Sequence, residues 1–173
     1  MDEDLRTLSA EVGAALASAG AVLATAESCT GGWVAEVITA TAGSSAWFDC
    51  GFVTYSNAAK QRLLGVPAQT LAVHGAVSEA VALAMALGAL ANSTATVALS
   101  VTGIAGPGGA VPGKPVGTVC FGWALAGGVE RTETGHFDGD RETVCRKSLR
   151  HTLAVLLALL EVSPENSVAR TVP

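Results

Sequence analysis

A layered α/β fold with a mixed sheet is what this sequence predicts, and three observations predict it. Segments of helical periodicity alternate with short β-type runs, the order that builds a sheet covered by helices. Two β-type runs flank Ala126-Gly127-Gly128 and read as an antiparallel hairpin, which makes the sheet mixed. Half of the 173 residues are hydrophobic and only 5% aromatic, enough for one sizeable core built mostly from Ala, Val and Leu.

The elements follow in order. A helix is expected over 5–19, with Leu5, Leu8, Val12 and Leu16 on one face and Gly20 as its stop. Residues 21–25 form a short β-type run, 32–40 a helix and 51–55 a strand. Residues 57–64 form a short helix closed by Gly65-Val66-Pro67, and 78–91 a longer one with Ser78 as cap and Glu79 in its first turn. Residues 96–102, TVALSVT, read as a buried strand; 116–125 and 129–137 are the arms of the hairpin. A last helix runs from about 140 to 162, with Cys145, Leu149, Leu153, Leu156 and Leu160 as its inward stripe. One domain is expected over 1–162, and the polar tail from Ser163, SPENSVARTVP, is expected to be loose.

Charge and hydropathy exclude some functions. A net charge of −5 offers no basic footprint for a phosphate backbone, so nucleic acid is not an expected partner. The mean hydropathy of +0.46 is high, yet no apolar run approaches the roughly 18 residues that spanning a membrane needs. The start, MDEDLR, is acidic, whereas a secretory signal opens basic and then turns apolar. Cys29, Cys50, Cys120 and Cys145 form no CxxC pair, which suits reduced thiols in the cytoplasm. Abundant Ala and Gly on several helices would suit the interface of a homodimer or other homo-oligomer.

Ligands of open α/β sheets collect at the carboxyl ends of strands, and three polar segments fall there: 27–32, 55–60 and 102–109. In the first, Ser28, Cys29 and Thr30 lead through Gly31-Gly32 into a helix, whose free N–H groups would stabilise a phosphate or a developing oxyanion. Equally open on spacing is that Thr30 or Ser28 only caps the helix and the glycines only turn the corner.

In the second segment, Lys60 shares a helix face with Leu63 and Leu64, while Gln61 and Arg62 point outward. Either Lys60 is buried, which is costly for a charge, or it snorkels with its ammonium in water. A free lysine titrates near ~10.4, so only roughly one in 2,500 is neutral at pH 7. Bringing it to ~7–8, where it could serve as a base, takes about 4 kcal/mol, which burial can supply. With Asn57 as the cap, Lys60 falls in the first helical turn, where the dipole disfavours an ammonium by a further ~0.3–1 kcal/mol. Tyr55, just before, is either a proton relay or an ordinary rim residue.

The third segment follows a buried strand ending at Thr102, and Gly103, Gly106, Gly108 and Gly109 let its backbone approach a ligand or simply turn. It lacks GK[ST] and no helix follows, so it is neither a Walker A loop nor a dinucleotide fingerprint. Arg141 lies one turn before Cys145 on the inward stripe; it either reaches the cleft to hold a phosphate or carboxylate, or pairs with Asp138 or Asp140 at the surface. His74, His136 and His151 show no ligand spacing, so no metal is expected, and no GxSxG elbow supports a Ser-His-Asp triad. A nucleophilic Ser28 would instead take Lys60 as its base.

The ordered motifs AESCTGG, GFVTYSNAAK, HGAVSE, TGIAGPGG, KPVGTV and GDR resemble the CinA C-terminal domain family over about 5–161. The resemblance implies a three-layer α/β/α sandwich with a mixed, mostly parallel sheet. It also implies hydrolysis of the carboxamide of nicotinamide mononucleotide (NMN), without metal or other cofactor, in pyridine nucleotide (NAD) recycling. By motif it implies Ser28 as nucleophile, Lys60 as general base, and Tyr55 and Arg141 as further active-site residues. Thr30, Gly31, Gly32, Thr102, Gly103 and Gly106 are then the expected substrate contacts. Thr102 stands where many relatives carry serine, and the loop after Pro107 varies in length. Two rivals stay open: Cys29 as the nucleophile, and a module that binds or senses a nucleotide without catalysis. An accessory role in DNA uptake or repair, suggested only by the family's name, sits poorly with the acidic charge.

Overall fold

The structure, a computed structural model, describes residues 3–162. The expected tail from Ser163 lies outside the described residues. The element order is α1 (Glu3–Ser18), β1 (Leu23–Glu27), α2 (Trp33–Thr39), a 3₁₀ turn (Ser44–Ala46), β2 (Phe48–Val53), α3 (Asn57–Leu64), α4 (Ala68–His74), α5 (Glu79–Ala91), β3 (Val97–Gly103), β4 (Thr118–Leu125), β5 (Glu130–His136) and α6 (Arg141–Val162).

The sheet has the order β2-β1-β3-β4-β5. β1 pairs parallel with both β2 and β3, while β4 runs antiparallel to β3 and to β5, so all strands but β4 point the same way. Apolar side chains alternate across it. Leu23, Val97, Leu99, Val101, Phe121 and Trp123 pack with α1, α2 and α6 on one face. Ala24, Ala26, Ala98 and Ala124 pack with α3, α4 and α5 on the other. The result is the expected α/β/α sandwich. β3 and β4 are buried nearly throughout because both faces are covered. β5 is an edge strand, and its ERTETGH sequence suits one side open to water.

Small residues set how closely the layers approach. A Cβ at Gly13 of α1 would lie 2.5 Å from the Trp47 indole, one at Gly122 of β4 2.6 Å from the Ala82 carbonyl of α5, and one at Gly88 of α5 2.0 Å from the Leu64 carbonyl of α3. Only glycine allows α5 to sit this tightly on β4 and α3 on α5.

Several boundaries differ from the sequence expectation. β1 begins and ends two residues later than its apolar run suggests, because Ala26 and Glu27 are paired on both sides by β2 and β3. The cap of α3 is Ser56, whose Oγ accepts from the Ala59 N–H at 3.1 Å, and not Asn57. Helix α4 was not expected at all. It follows Pro67, a residue that tolerates a helix start because it has no N–H to satisfy.

Candidate active site

The chain leaves β1 toward α2 on one face of the sheet and leaves β2 toward α3 on the other. Such a reversal opens a crevice at the carboxyl ends of the strands. A cleft of about 250 Å³ lies there, with Ser28, Cys29, Tyr55, Lys60, Thr102 and Arg141 in its wall.

Side-chain alternation along β1 and its extension sorts Glu27 and Ser28 to opposite faces. Ser28 continues the ladder, its N–H donating to the Val101 carbonyl at 2.9 Å. Its side chain meets α3, where Lys60 Nζ lies 2.9 Å from Ser28 Oγ and 2.7 Å from the Thr54 carbonyl oxygen. Lys60 is only 1% exposed, so it does not snorkel. It shares the buried side of α3 with Leu64, whereas Leu63, expected beside them, is 40% exposed. Burial holds the Lys60 amine below the ordinary lysine range, opposed by the proximity of Cys29. Both neighbours of Nζ are oxygens, the Thr54 carbonyl as acceptor and the Ser28 hydroxyl, which can accept from the amine or, when the amine is neutral, donate to it.

Glu27 turns the other way and was assigned no role from sequence. Fully buried, its carboxylate accepts from the N–H groups of Gly32 (3.1 Å), Val34 (3.0 Å) and Ala35 (2.9 Å) and from Thr30 Oγ1 (2.7 Å). Thr30, Gly31 and Gly32, the expected substrate contacts, fall beside this internal carboxylate. The anion site at the start of α2 exists, but the protein's own carboxylate fills it, and Thr30 does not cap the helix with its side chain. None of the three residues lines the cleft. Gly31 and Gly32 have φ of 63° and 102°, the left-handed turn that brings the α2 amides back onto Glu27.

Cys29 lines the cleft but is a poor nucleophile. Burial first, then the neighbouring Cys145, pushes its thiol up to about 12. All four cysteines are free thiols. Thr102 also reaches the cleft, yet its hydroxyl donates to the Ala76 carbonyl at 2.8 Å, tying the α4–α5 loop to the end of β3. Sequence reasoning gave that loop no place in the site, although Ala76 and Val77 line it. A Cβ at Gly103 would lie 2.9 Å from the Thr118 carbonyl, so this glycine serves the close strand pair.

Arg141 pairs with neither Asp138 nor Asp140. Its Nη1 donates to the Gly106 carbonyl (3.0 Å) and its Nη2 contacts the Cys29 carbonyl (3.3 Å) and Tyr55 Oη (3.1 Å). One guanidinium thus joins the loops after β1, β2 and β3. Asp140 instead caps α6 by accepting from the Thr143 N–H, and Tyr55 is a rim residue, 64% exposed. Among the described residues no three His, Cys, Asp or Glu side chains converge as a metal site, and no helix is long and apolar enough to cross a membrane.

Comparison with known proteins gives a consistent result. The CinA C-terminal domain model matches residues 5–160. Nicotinamide-nucleotide amidohydrolase PncC of Escherichia coli (strain K12) is 55% identical over 155 residues, 90% of this chain and 94% of that protein. The protein of the same name from Pseudomonas putida is 48% identical over 163 residues, covering 94% and 99% of the two chains. Among solved structures, the competence damage-inducible protein A of Klebsiella pneumoniae subsp. pneumoniae MGH 78578 superposes with a TM-score of 0.89 at 46% identity, covering 92% of this chain and 98% of that one.

Proposed function

The chain belongs to the CinA C-terminal domain family, and from that membership and the cleft we propose that it is a nicotinamide-nucleotide amidohydrolase. It hydrolyses the carboxamide of NMN to nicotinate mononucleotide and ammonia in the cytoplasm, feeding pyridine nucleotide recycling. The observation that carries the reading is the buried contact of 2.9 Å between Lys60 Nζ and Ser28 Oγ.

Neutral Lys60, held by the Thr54 carbonyl, takes the Ser28 proton as Oγ attacks the carboxamide carbon. The developing oxyanion needs preorganised donors. The amides of Cys29 and Thr30 have no intramolecular acceptor among the described residues, and Cys29 directly follows the nucleophile, so its N–H is the first candidate. The protonated Lys60 then gives its proton to the departing amine, which leaves as ammonia. Water, deprotonated in turn by Lys60, attacks the acyl-enzyme; the C–O bond to Ser28 breaks, Lys60 returns that proton to Ser28 Oγ, and nicotinate mononucleotide is released. The Cys29 rival is disfavoured by the raised thiol pKa.

Ammonia release from NMN by the purified protein, with no added metal, tests the activity. Ser28→Ala abolishes it and Cys29→Ala retains it on this reading. Activity surviving in Ser28→Ala would end the serine mechanism, and an NMN-induced rise in Tm with no ammonia would favour a binding module instead.

A further inference from the structure

We propose that the backbone amides of Ala105 and Gly106, with the Arg141 guanidinium beside them, form the seat for the phosphomonoester group of the substrate. The inference rests on the amidohydrolase reading and names the part of the cleft that sets a mononucleotide apart from its nucleoside.

The connection between β3 and β4 stops satisfying its own backbone inside the cleft. Ile104 is paired on both sides: its N–H donates to the Thr118 carbonyl at 2.9 Å, and its carbonyl accepts from the Gly117 N–H at 2.7 Å. The next two N–H groups, of Ala105 and Gly106, have no acceptor among the described residues. Both residues are buried, Ala105 at 2% exposure, and both line the cleft. Buried amides are nearly always paired, because a donor taken out of water without a partner costs free energy. Two in succession on a cleft wall point to an acceptor that arrives from the cleft. The bend itself is specified by sequence. Gly106 has φ of 87°, and a Cβ there would stand 2.7 Å from Val116 Cγ1, so only glycine holds this conformation.

Charge makes that acceptor an anion. No Asp or Glu lines the cleft, although the chain carries a net charge of −5. Arg141 Nη1 donates to the Gly106 carbonyl at 3.0 Å, which sets the guanidinium next to the two amides. Its other contacts are the neutral oxygens of Cys29 and Tyr55, so no carboxylate offsets its charge among the described residues. A guanidinium has five N–H donors, so these three contacts leave it donors to spare. Spare guanidinium donors and two backbone N–H groups match the oxygens of a phosphomonoester dianion. Lys60, the other cation of the wall, is committed to Ser28 and Thr54.

Proton–nitrogen correlation NMR of Ser28→Ala protein, titrated to saturation with NMN and with nicotinamide riboside, tests this without turnover and with the loop unaltered. Downfield shifts of the Ala105 and Gly106 amide protons are expected with NMN and not with the riboside. Amides that NMN leaves unmoved, or that the riboside moves equally, would overturn the proposal. Isothermal titration adds the charge: Arg141→Ala in the same background is expected to weaken NMN binding roughly tenfold to a hundredfold and to leave riboside binding little changed. Equal weakening for both ligands would show that Arg141 only holds the loops, and would remove it from the seat. The two readings fail separately. Ammonia release by the wild type with both amides unmoved sinks only the phosphate seat, and NMN-specific shifts without ammonia release sink only the hydrolase.

Discussion

Lys60 and Ser28, thirty-two positions apart, meet in a buried contact of 2.9 Å at the carboxyl end of β1, with the Thr54 carbonyl holding the same amine at 2.7 Å. Everything around them fixes that meeting. α3 is seated on α5 through Gly88, and the strand register places Ser28 beside Val101.

Burial of Lys60 makes stability depend on pH with a definite sign. Its folded pKa lies below the ordinary 10.5, so between the two values the unfolded chain binds more protons and stability rises with pH. Below the folded pKa the full penalty for a buried ammonium applies; above 10.5 it vanishes. The Tm of the wild type relative to Lys60→Met is therefore expected to climb as pH rises through this window. Thermal melts of both proteins from pH 6 to 10.5 check it, and a flat difference would mean an unperturbed amine.

A thiol near 12 is almost wholly protonated at neutral pH, with about one thiolate in 10⁵ at pH 7. Cys29 should therefore resist iodoacetamide at pH 7 by roughly a thousandfold or more relative to a free cysteine. Mass-spectrometric mapping of alkylated peptides gives the rate, and Cys50, only partly buried, serves as the internal comparison.

Glu27 is expected to be a stability residue. Glu27→Ala leaves the Gly32, Val34 and Ala35 amides and the Thr30 hydroxyl without their shared acceptor inside a buried site. Loss of such a network costs about 3–5 kcal/mol, and Glu27→Gln, which keeps one acceptor oxygen, costs less. Urea denaturation measures both. A change under about 1 kcal/mol for Glu27→Ala would contradict the role.

Arg141 holds three loops, so its loss should loosen them more than it unfolds the protein. Arg141→Lys keeps the charge but cannot span the Gly106, Cys29 and Tyr55 oxygens together. Faster amide exchange over 103–109 and kcat lowered roughly tenfold to a hundredfold, with Tm little changed, are expected. Tyr55→Phe removes only one acceptor, and its effect should be smaller.

These contacts divide into those the sequence could reveal and those it could not. The bounds of α3, and the inward side of Lys60, follow from helical spacing with Leu64, since local periodicity is what a helix obeys. The meeting of Lys60 with Ser28 does not; no local rule links positions so far apart, and the pairing is raised by the lack of a triad histidine and favoured by the ordered motifs. Glu27 escaped because its partners belong to a helix starting six residues later, and because β1 extends beyond its apolar run under the pairing of its neighbours. A glycine pair before a helix rightly signalled an anion site but could not say that the anion was internal. Arg141 offered acids nearby in sequence, yet the fold brought it carbonyls from three distant loops. Helix α4 is short and weakly patterned, and Pro67 was its one clear start signal.

The central claim is that the Lys60 amine is uncharged when it meets Ser28. A heteronuclear NMR titration of the lysine side chains, with Lys60 assigned by comparison with Lys60→Met, measures this directly. The account predicts a midpoint clearly below the ordinary lysine value of ~10.4. A midpoint at or above that value would show a charged lysine at neutral pH and contradict the proposed base.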